Sequence, residues 1–384
     1  LVTVMQGHHY SVNGRRFKNY YAALRHSSEV NSFAEYVIPR THLDAYESVS
    51  VKACLTKTPE FFIKEKISYI FKNFQSQRLH YSGGSDSHTI MQIATDMGYK
   101  FTDSLTACSS VTMDEYVDEE YVLGIEHIKK NPNCVANPEV FYPSLKHFED
   151  LWRDPETFYN QSGAYFSFRP IYTDIIMQGR TQREAEITGH SKQKIIRKDN
   201  QYYWVLFSCN DEYISLDNEI SFYGDGLIPE LAVQQAYINK DFFTKVLPAK
   251  DDTKLEVLSF ERIPEHLRNN LNTALGRTPT LSYKLTIGTI LGKADGLNEK
   301  NHRSMKEIQS QGRQDILNMW DNTRKKIISD LKDIPHGIEL ISQKCAVDGY
   351  KENISIPKRV SRIGFAYRLD SDKIVPIDHT ELFL

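Results

Sequence analysis

Ser82-Gly83-Gly84-Ser85-Asp86-Ser87 follows a short apolar stretch, Leu79 to Tyr81, and opens a segment in which Ile90, Ile93, Ala94 and Met97 recur at i, i+3, i+4 and i+7. That spacing marks one face of an α-helix, and Gly98 supplies the left-handed residue that commonly ends one. The order is strand, glycine-rich turn, helix. Such a turn brings backbone N–H groups and the positive end of a helix dipole to one point, which suits a phosphate. Gly83 and Gly84 let the backbone approach an anion closely, and Ser82, Ser85 and Ser87 add hydroxyl donors. Asp86 would repel phosphate unless a divalent cation lay between them, so the aspartate implies Mg²⁺. No Lys follows the glycines as in a Walker A loop, and the G-x-G-x-x-G spacing of a Rossmann fingerprint is absent.

Outward from the turn, helical and strand patterns alternate. Thr58-Pro59 reads as an N-cap followed by proline at the first helical position, and Ile63, Ile67, Ile70, Phe71 and Phe74 then form one stripe. Phe101 to Ala107 reads as a strand and Asp114 to Lys130 as a helix, acidic early and basic late. Helix, strand, helix, strand, helix argues for a parallel sheet with right-handed crossovers. The expected fold is therefore α/β, a doubly wound parallel sheet over residues 58–245. An N-terminal extension (1–57) would precede it and a mixed α+β C-terminal region (246–384) would follow.

Within the flanks, Asn13-Gly14 signals a tight turn, with a short helix expected near Tyr20 to Leu24. Further helices are expected at Ile171 to Gln178, from Pro229 onward, and at Arg313 to Leu331. Glu186 to Thr188 and Tyr202 to Cys209 read as strands, the latter after an Asp199-Asn200 turn. The strict alternation of Ile363, Phe365, Tyr367 and Leu369 predicts a half-buried strand, turned back through Asp370 to Lys373 toward Ile374 to Ile377.

The composition, 40% hydrophobic and 25% charged, is that of an ordinary globular protein. A formal net charge of −3 gives no global signal for nucleic acid; the Lys192 to Lys198 patch is compatible with a nucleobase or tRNA substrate but too short to decide it. No stretch approaches the roughly 18 apolar residues of a membrane span, and no secretory signal pattern is visible. The five cysteines (Cys54, Cys108, Cys134, Cys209, Cys345) are scattered without a C-x-x-C pair, which argues against a zinc ribbon or disulfide framework and for a reducing, cytoplasmic setting.

The six residues 82–87 match the SGGxDS signature and resemble the PP-loop ATP pyrophosphatases: asparagine and GMP synthetase domains, tRNA-lysidine synthetases, nucleobase-modification enzymes and phosphoadenylylsulfate reductases. The resemblance is specific over about residues 78–98. It implies an adenine nucleotide alpha hydrolase-like fold that binds ATP with Mg²⁺ through Ser82, Gly83, Gly84, Ser85, Asp86 and Ser87. It also implies cleavage between the α and β phosphates, giving an adenylylated substrate that then meets a nitrogen nucleophile. Thr106, at the end of the second strand, is a candidate for holding adenine or ribose.

Two later stretches compete for the far side of the phosphate site. Thr188-Gly189-His190 resembles the strand-end loop that faces ATP in tRNA-lysidine synthetases. The paired aspartates that follow there are replaced by Ser191, Lys192 and Gln193, so Gly189 and His190 are expected to line the nucleotide while Lys192 and Lys194 neutralise departing pyrophosphate. Tyr223-Gly224-Asp225-Gly226 resembles the glycine-acid-glycine loop of asparagine synthetases, making Asp225 a second candidate Mg²⁺ ligand beside Asp86; the acidic pair expected three residues later is missing.

Too few residues precede Ser82 for the glutaminase domain of asparagine synthetases. The nitrogen is therefore expected from ammonia, another amine or a separate donor subunit. A sulfur-transfer enzyme using Cys108, and a non-enzymatic nucleotide-binding module, are the competing readings. The acceptor, a small molecule or a nucleobase, is not specified by the motifs.

Overall fold

The computed structural model describes residues 9–17, 26–27, 29–32, 34–107, 119–141, 184–189, 193–207, 219–246, 256–258 and 363–378. The helices expected near Tyr20, Ile171 and Arg313 lie outside them, as does Cys108. Asn13 and Gly14 take φ of 49° and 81°, the geometry of a two-residue hairpin turn. They join β1 (His9–Val12) to β2 (Arg15–Phe17), and β3 (Ala34–Val37) pairs with the other edge of β1. Two short helices follow, α1 (Arg40–Glu47) and α2 (Val51–Cys54).

The helix α3 (Pro59–Asn73) starts as its sequence indicates, with the Thr58 hydroxyl accepting the Phe61 N–H at 3.2 Å and proline at its first position. Its buried face is Phe62, Ile63, Lys66, Ile67 and Ile70. A lysine thus stands inside the apolar stripe.

The alternation continues through β4 (Ser76–His80), α4 (Ser85–Asp96), β5 (Phe101–Ala107), α5 (Glu119–Lys130) and β6 (Val135–Phe141). Gly98 ends α4 at φ 81°. Its N–H reaches the Thr95 carbonyl and the Tyr99 N–H reaches the Ala94 carbonyl, both at 2.9 Å, the paired bonds of a Schellman motif. The strand β6 carries Pro138, which an edge strand tolerates because no ladder donor is needed there. Then come β7 (Glu184–Thr188), β8 (Lys194–Lys198), β9 (Gln201–Phe207), β10 (Glu219–Ser221), α6 (Pro229–Val246), β11 (Glu256–Leu258), β12 (Ile363–Leu369) and β13 (Ile374–Ile377).

Five strands form an all-parallel sheet in the order β10-β7-β4-β5-β6. The chain steps outward from β4 to β6, then resumes on the other side of β4 with β7 and β10. This α/β arrangement is consistent with a doubly wound sheet whose order reverses between β4 and β7. Leu79, Ala185, Ile187 and Ile220 of the sheet share one core with Ile63, Ile67 and Ile70 of α3, Ile90, Ile93 and Ala94 of α4, Ile128 of α5 and Leu231 of α6. Each of these leucines and isoleucines contributes about 1.5–3 kcal/mol by leaving water. The alternate residues of β4 and β7 form a buried polar cluster, in which His80 Nε2 lies 2.7 Å from Glu186 Oε2.

A second sheet is antiparallel throughout, in the order β11-β8-β9-β12-β13. It draws strands from both sides of position 245. Asp199 and Asn200, at φ 51° and 58°, close the β8–β9 hairpin. Residues 194–198, which the sequence suggests as part of a basic loop, are instead a strand, because Ile195 and Ile196 are buried with Arg197 beside them. Trp204 is fully buried, ringed by Tyr46, Phe365 and Tyr367 at centroid distances of 5.0, 4.9 and 5.6 Å. The helix α6 packs on α1, α2, α3 and β8. No helix among the described residues is long and apolar enough to cross a membrane. Replacing Trp204 with Ala is expected to cost about 3–5 kcal/mol, measured as a lower midpoint of urea unfolding.

Candidate functional site at the carboxyl ends of β4 and β7

In open α/β sheets the crevice for ligands forms where strand order reverses, beyond the carboxyl ends. Here the order reverses between β4 and β7, and the Ser82–Ser87 turn leaves the carboxyl end of β4 at that point. The Tyr81 N–H is still held by the Leu105 carbonyl at 2.9 Å, and the Thr106 hydroxyl donates to the Tyr81 carbonyl at 2.8 Å. Thr106 is thus turned inward, supporting the turn from β5. Gly83 adopts φ 76°, which glycine enters without steric penalty. Gly84 is the N-cap of α4 and no side chain caps the helix, so its first-turn N–H groups have neither an intrahelical acceptor nor a capping side chain.

The serines hold the turn by long bonds. Ser82 N–H donates to Ser87 Oγ at 3.3 Å, Gly84 N–H to Ser82 Oγ at 3.2 Å, and Ser87 Oγ–H to the Gly84 carbonyl at 3.3 Å. Asp86 stands in the first turn of α4.

Two glycines let neighbouring backbone close onto this turn. A Cβ on Gly124 of α5 would stand 3.2 Å from Gly83 Cα, and one on Gly189 would stand 3.2 Å from Asp86 Cβ and 3.5 Å from Ser87 N. Gly189 therefore lies against the Ser82–Ser87 turn. Its neighbours His190 and Lys192 lie outside the described residues, and Lys194 is the first residue of β8. Gln193 is anchored too: its Nε2 donates to the Tyr223 carbonyl at 2.6 Å, and its own main-chain carbonyl accepts from Asn239 Nδ2 at 3.3 Å.

Asp225 is held away from solvent. Its Oδ1 lies 2.6 Å from Lys66 Nζ, with the two side chains 3% and 1% exposed, and also accepts the Leu227 N–H at 2.9 Å. Lys66 Nζ further donates to the Phe222 carbonyl at 2.6 Å. Burial lowers the Lys66 pKa, and the Asp225 charge opposes that shift. Burial likewise lowers the pKa of His42, with the Asp225 charge pulling it back up. On the other flank, Tyr81 Oη lies 2.9 Å from His88 Nδ1, and the His88 and His127 rings meet edge to face at 4.8 Å.

The donor set suits an anion with a divalent cation: an uncapped helix N-terminus, a glycine turn that approaches closely, and one carboxylate in the first turn. Among the described residues no three His, Cys, Asp or Glu gather to hold a metal ion. A cation at Asp86 would thus complete its oxygen shell from phosphate and water. No protein-family model matches the chain, and no curated protein matches it.

Sequence reasoning passed over Gly124, Lys66 and His88, and named Tyr81 and Tyr223 only as neighbours of the two glycine turns, without a role. For Lys66 a signal existed, since it falls between Ile63 and Ile70 on the stripe of α3. For Gly124 none did, because its role depends on contacts distant in sequence.

Burial first, and the His127 ring second, push the His88 pKa down from 6.5 to about 4. A depressed folded pKa means the neutral ring is the folded form. Its stability contribution is complete above pH 6.5 and is lost as pH falls toward 4, up to about 3 kcal/mol. Thermal melts across that window should show the wild type losing more stability than His88→Asn, which retains an acceptor but does not titrate.

Proposed function

We propose that the chain is an ATP pyrophosphatase of the PP-loop kind, with an adenine nucleotide alpha hydrolase-like fold. It adenylylates a carboxylate or carbonyl oxygen, releases pyrophosphate, and passes the activated group to a nitrogen nucleophile. The observation that carries this reading is the SGGSDS turn standing between the uncapped N-terminus of α4 and Gly189, at the reversal in strand order.

In this reading the backbone of Gly83 to Ser87 receives the phosphates. The hydroxyls of Ser82 and Ser87 exchange their long internal bonds for phosphate oxygens. Asp86 holds the divalent cation, and Gly189 keeps the opposite wall close enough to exclude water. Bound Mg²⁺ supplies charge screening for the leaving pyrophosphate. Lys192 and Lys194 are assigned to the same departing charge, and His190 to the nucleotide. Asp225 is left to its pair with Lys66, so the cation depends on Asp86.

The chemistry asks little acid–base work of the protein; position and exclusion of water do most of it. The acceptor is a small molecule or nucleobase. The competing sulfur-transfer reading would use Cys108, which lies outside the described residues; Cys54 is buried with its thiol pushed up to about 12, so it offers no thiolate at neutral pH.

The test is incubation with α-labelled ATP, Mg²⁺ and a cell extract as the source of acceptor. Labelled AMP or an adenylylated product is expected, together with pyrophosphate; ADP as the sole labelled product would overturn the assignment. Asp86→Ala should weaken Mg-ATP binding roughly tenfold or more, about 1.4 kcal/mol, with its melting temperature close to that of the wild type.

A further inference from the structure

Three consecutive carbonyls after β10 are each taken by a side-chain donor from a different part of the chain. The Phe222 carbonyl accepts from Lys66 Nζ of α3, the Tyr223 carbonyl from Gln193 Nε2 beyond β7, and the Gly224 carbonyl from Tyr46 Oη of α1, all at 2.6 Å. The next residue, Asp225, closes the set through its pair with Lys66. A turn held at every carbonyl has little freedom, and the direction of the one side chain it sends toward the phosphate turn is correspondingly fixed. That side chain is Tyr223, 1% exposed, whose hydroxyl donates to the Asp86 main-chain carbonyl at 3.0 Å.

We propose that Tyr223 is a positioning residue for the divalent cation, acting through Asp86. The inference rests on the nucleotide reading above and adds to it the group that sets cation affinity. The Asp86 carbonyl belongs to the first turn of α4, where frayed geometry would let the carboxylate swing. A second donor from outside the helix holds that carbonyl in place, and with it the backbone from which the carboxylate projects. Partners that orient a metal ligand from behind commonly matter about tenfold or more for affinity. Here the hold is on the ligand's backbone, and the loss expected is about that of one hydrogen bond, roughly fivefold.

The experiment compares three forms of the full chain: wild type, Tyr223→Phe and Tyr237→Phe. Each variant removes one tyrosine hydroxyl bonded to main-chain carbonyl oxygen, but Tyr223 bonds Asp86 whereas Tyr237 bonds Asp370 and Lys373 at the far β12–β13 turn. Binding of α,β-methylene-ATP is titrated calorimetrically across a Mg²⁺ series, and melting temperature is recorded for each protein. The expected result is a rise of roughly fivefold in the Mg²⁺ needed for half-maximal binding in Tyr223→Phe. Tyr237→Phe should lower the melting temperature while leaving that Mg²⁺ requirement unchanged. An unchanged requirement in Tyr223→Phe, or an equal rise in both variants, would overturn the positioning role while leaving the nucleotide site intact. Failure of the wild type to bind the nucleotide at any Mg²⁺ concentration would overturn the nucleotide reading itself, and the inference with it.

Discussion

The ion pair of Lys66 and Asp225 is the constraint from which much of the rest follows. Burying an ammonium alone costs several kcal/mol, and the cost is offset only when a partner and further acceptors are held in good geometry. The helix α3 presents Lys66 from the middle of its apolar face, so it can settle only where Asp225 and the Phe222 carbonyl receive the charge. One helix precedes the first strand of the parallel sheet and the other partner follows its last strand. The pair therefore ties the entry of the sheet to its exit. The turn between Phe222 and Asp225 inherits its shape from that tie, and the wall facing the Ser82–Ser87 turn inherits its position from it.

Much of the architecture is legible from local chemistry. Thr58-Pro59 starts α3, Gly98 ends α4, Asn13-Gly14 and Asp199-Asn200 close hairpins, and the alternation from Ile363 onward is the strand β12. Each rests on a backbone preference or a periodicity confined to a few residues. The strand β6 escapes because Pro138 and Glu139 break its apolar pattern, which an edge position allows. The strand β8 escapes because Lys194, Arg197 and Lys198 surround its two isoleucines, so its composition reads as a basic loop. In both cases the sheet supplies what the segment lacks.

The candidate site divides along the same line. The turn 82–87 and Gly189 are visible in sequence because their chemistry resides in consecutive residues. Thr106 is visible as a strand end, yet its hydroxyl serves Tyr81. Asp225 is visible as an acid between glycines, yet its partner, 159 positions away, draws it into the interior. Such outcomes depend on pairings across the fold that no local window contains.

The helix α6 carries a different kind of consequence. Leu231 belongs to the core beneath the parallel sheet, while Ala232, Val233, Ala236 and Phe243 belong to the core of the antiparallel one. Its Tyr237 hydroxyl also bonds the carbonyls of Asp370 and Lys373 at the β12–β13 turn, at 2.8 and 2.9 Å. Neither sheet can shed its hydrophobic cover without stripping a flank of the other. The two cores are thus halves of one cooperative unit, with a single rod of side chains as their shared wall.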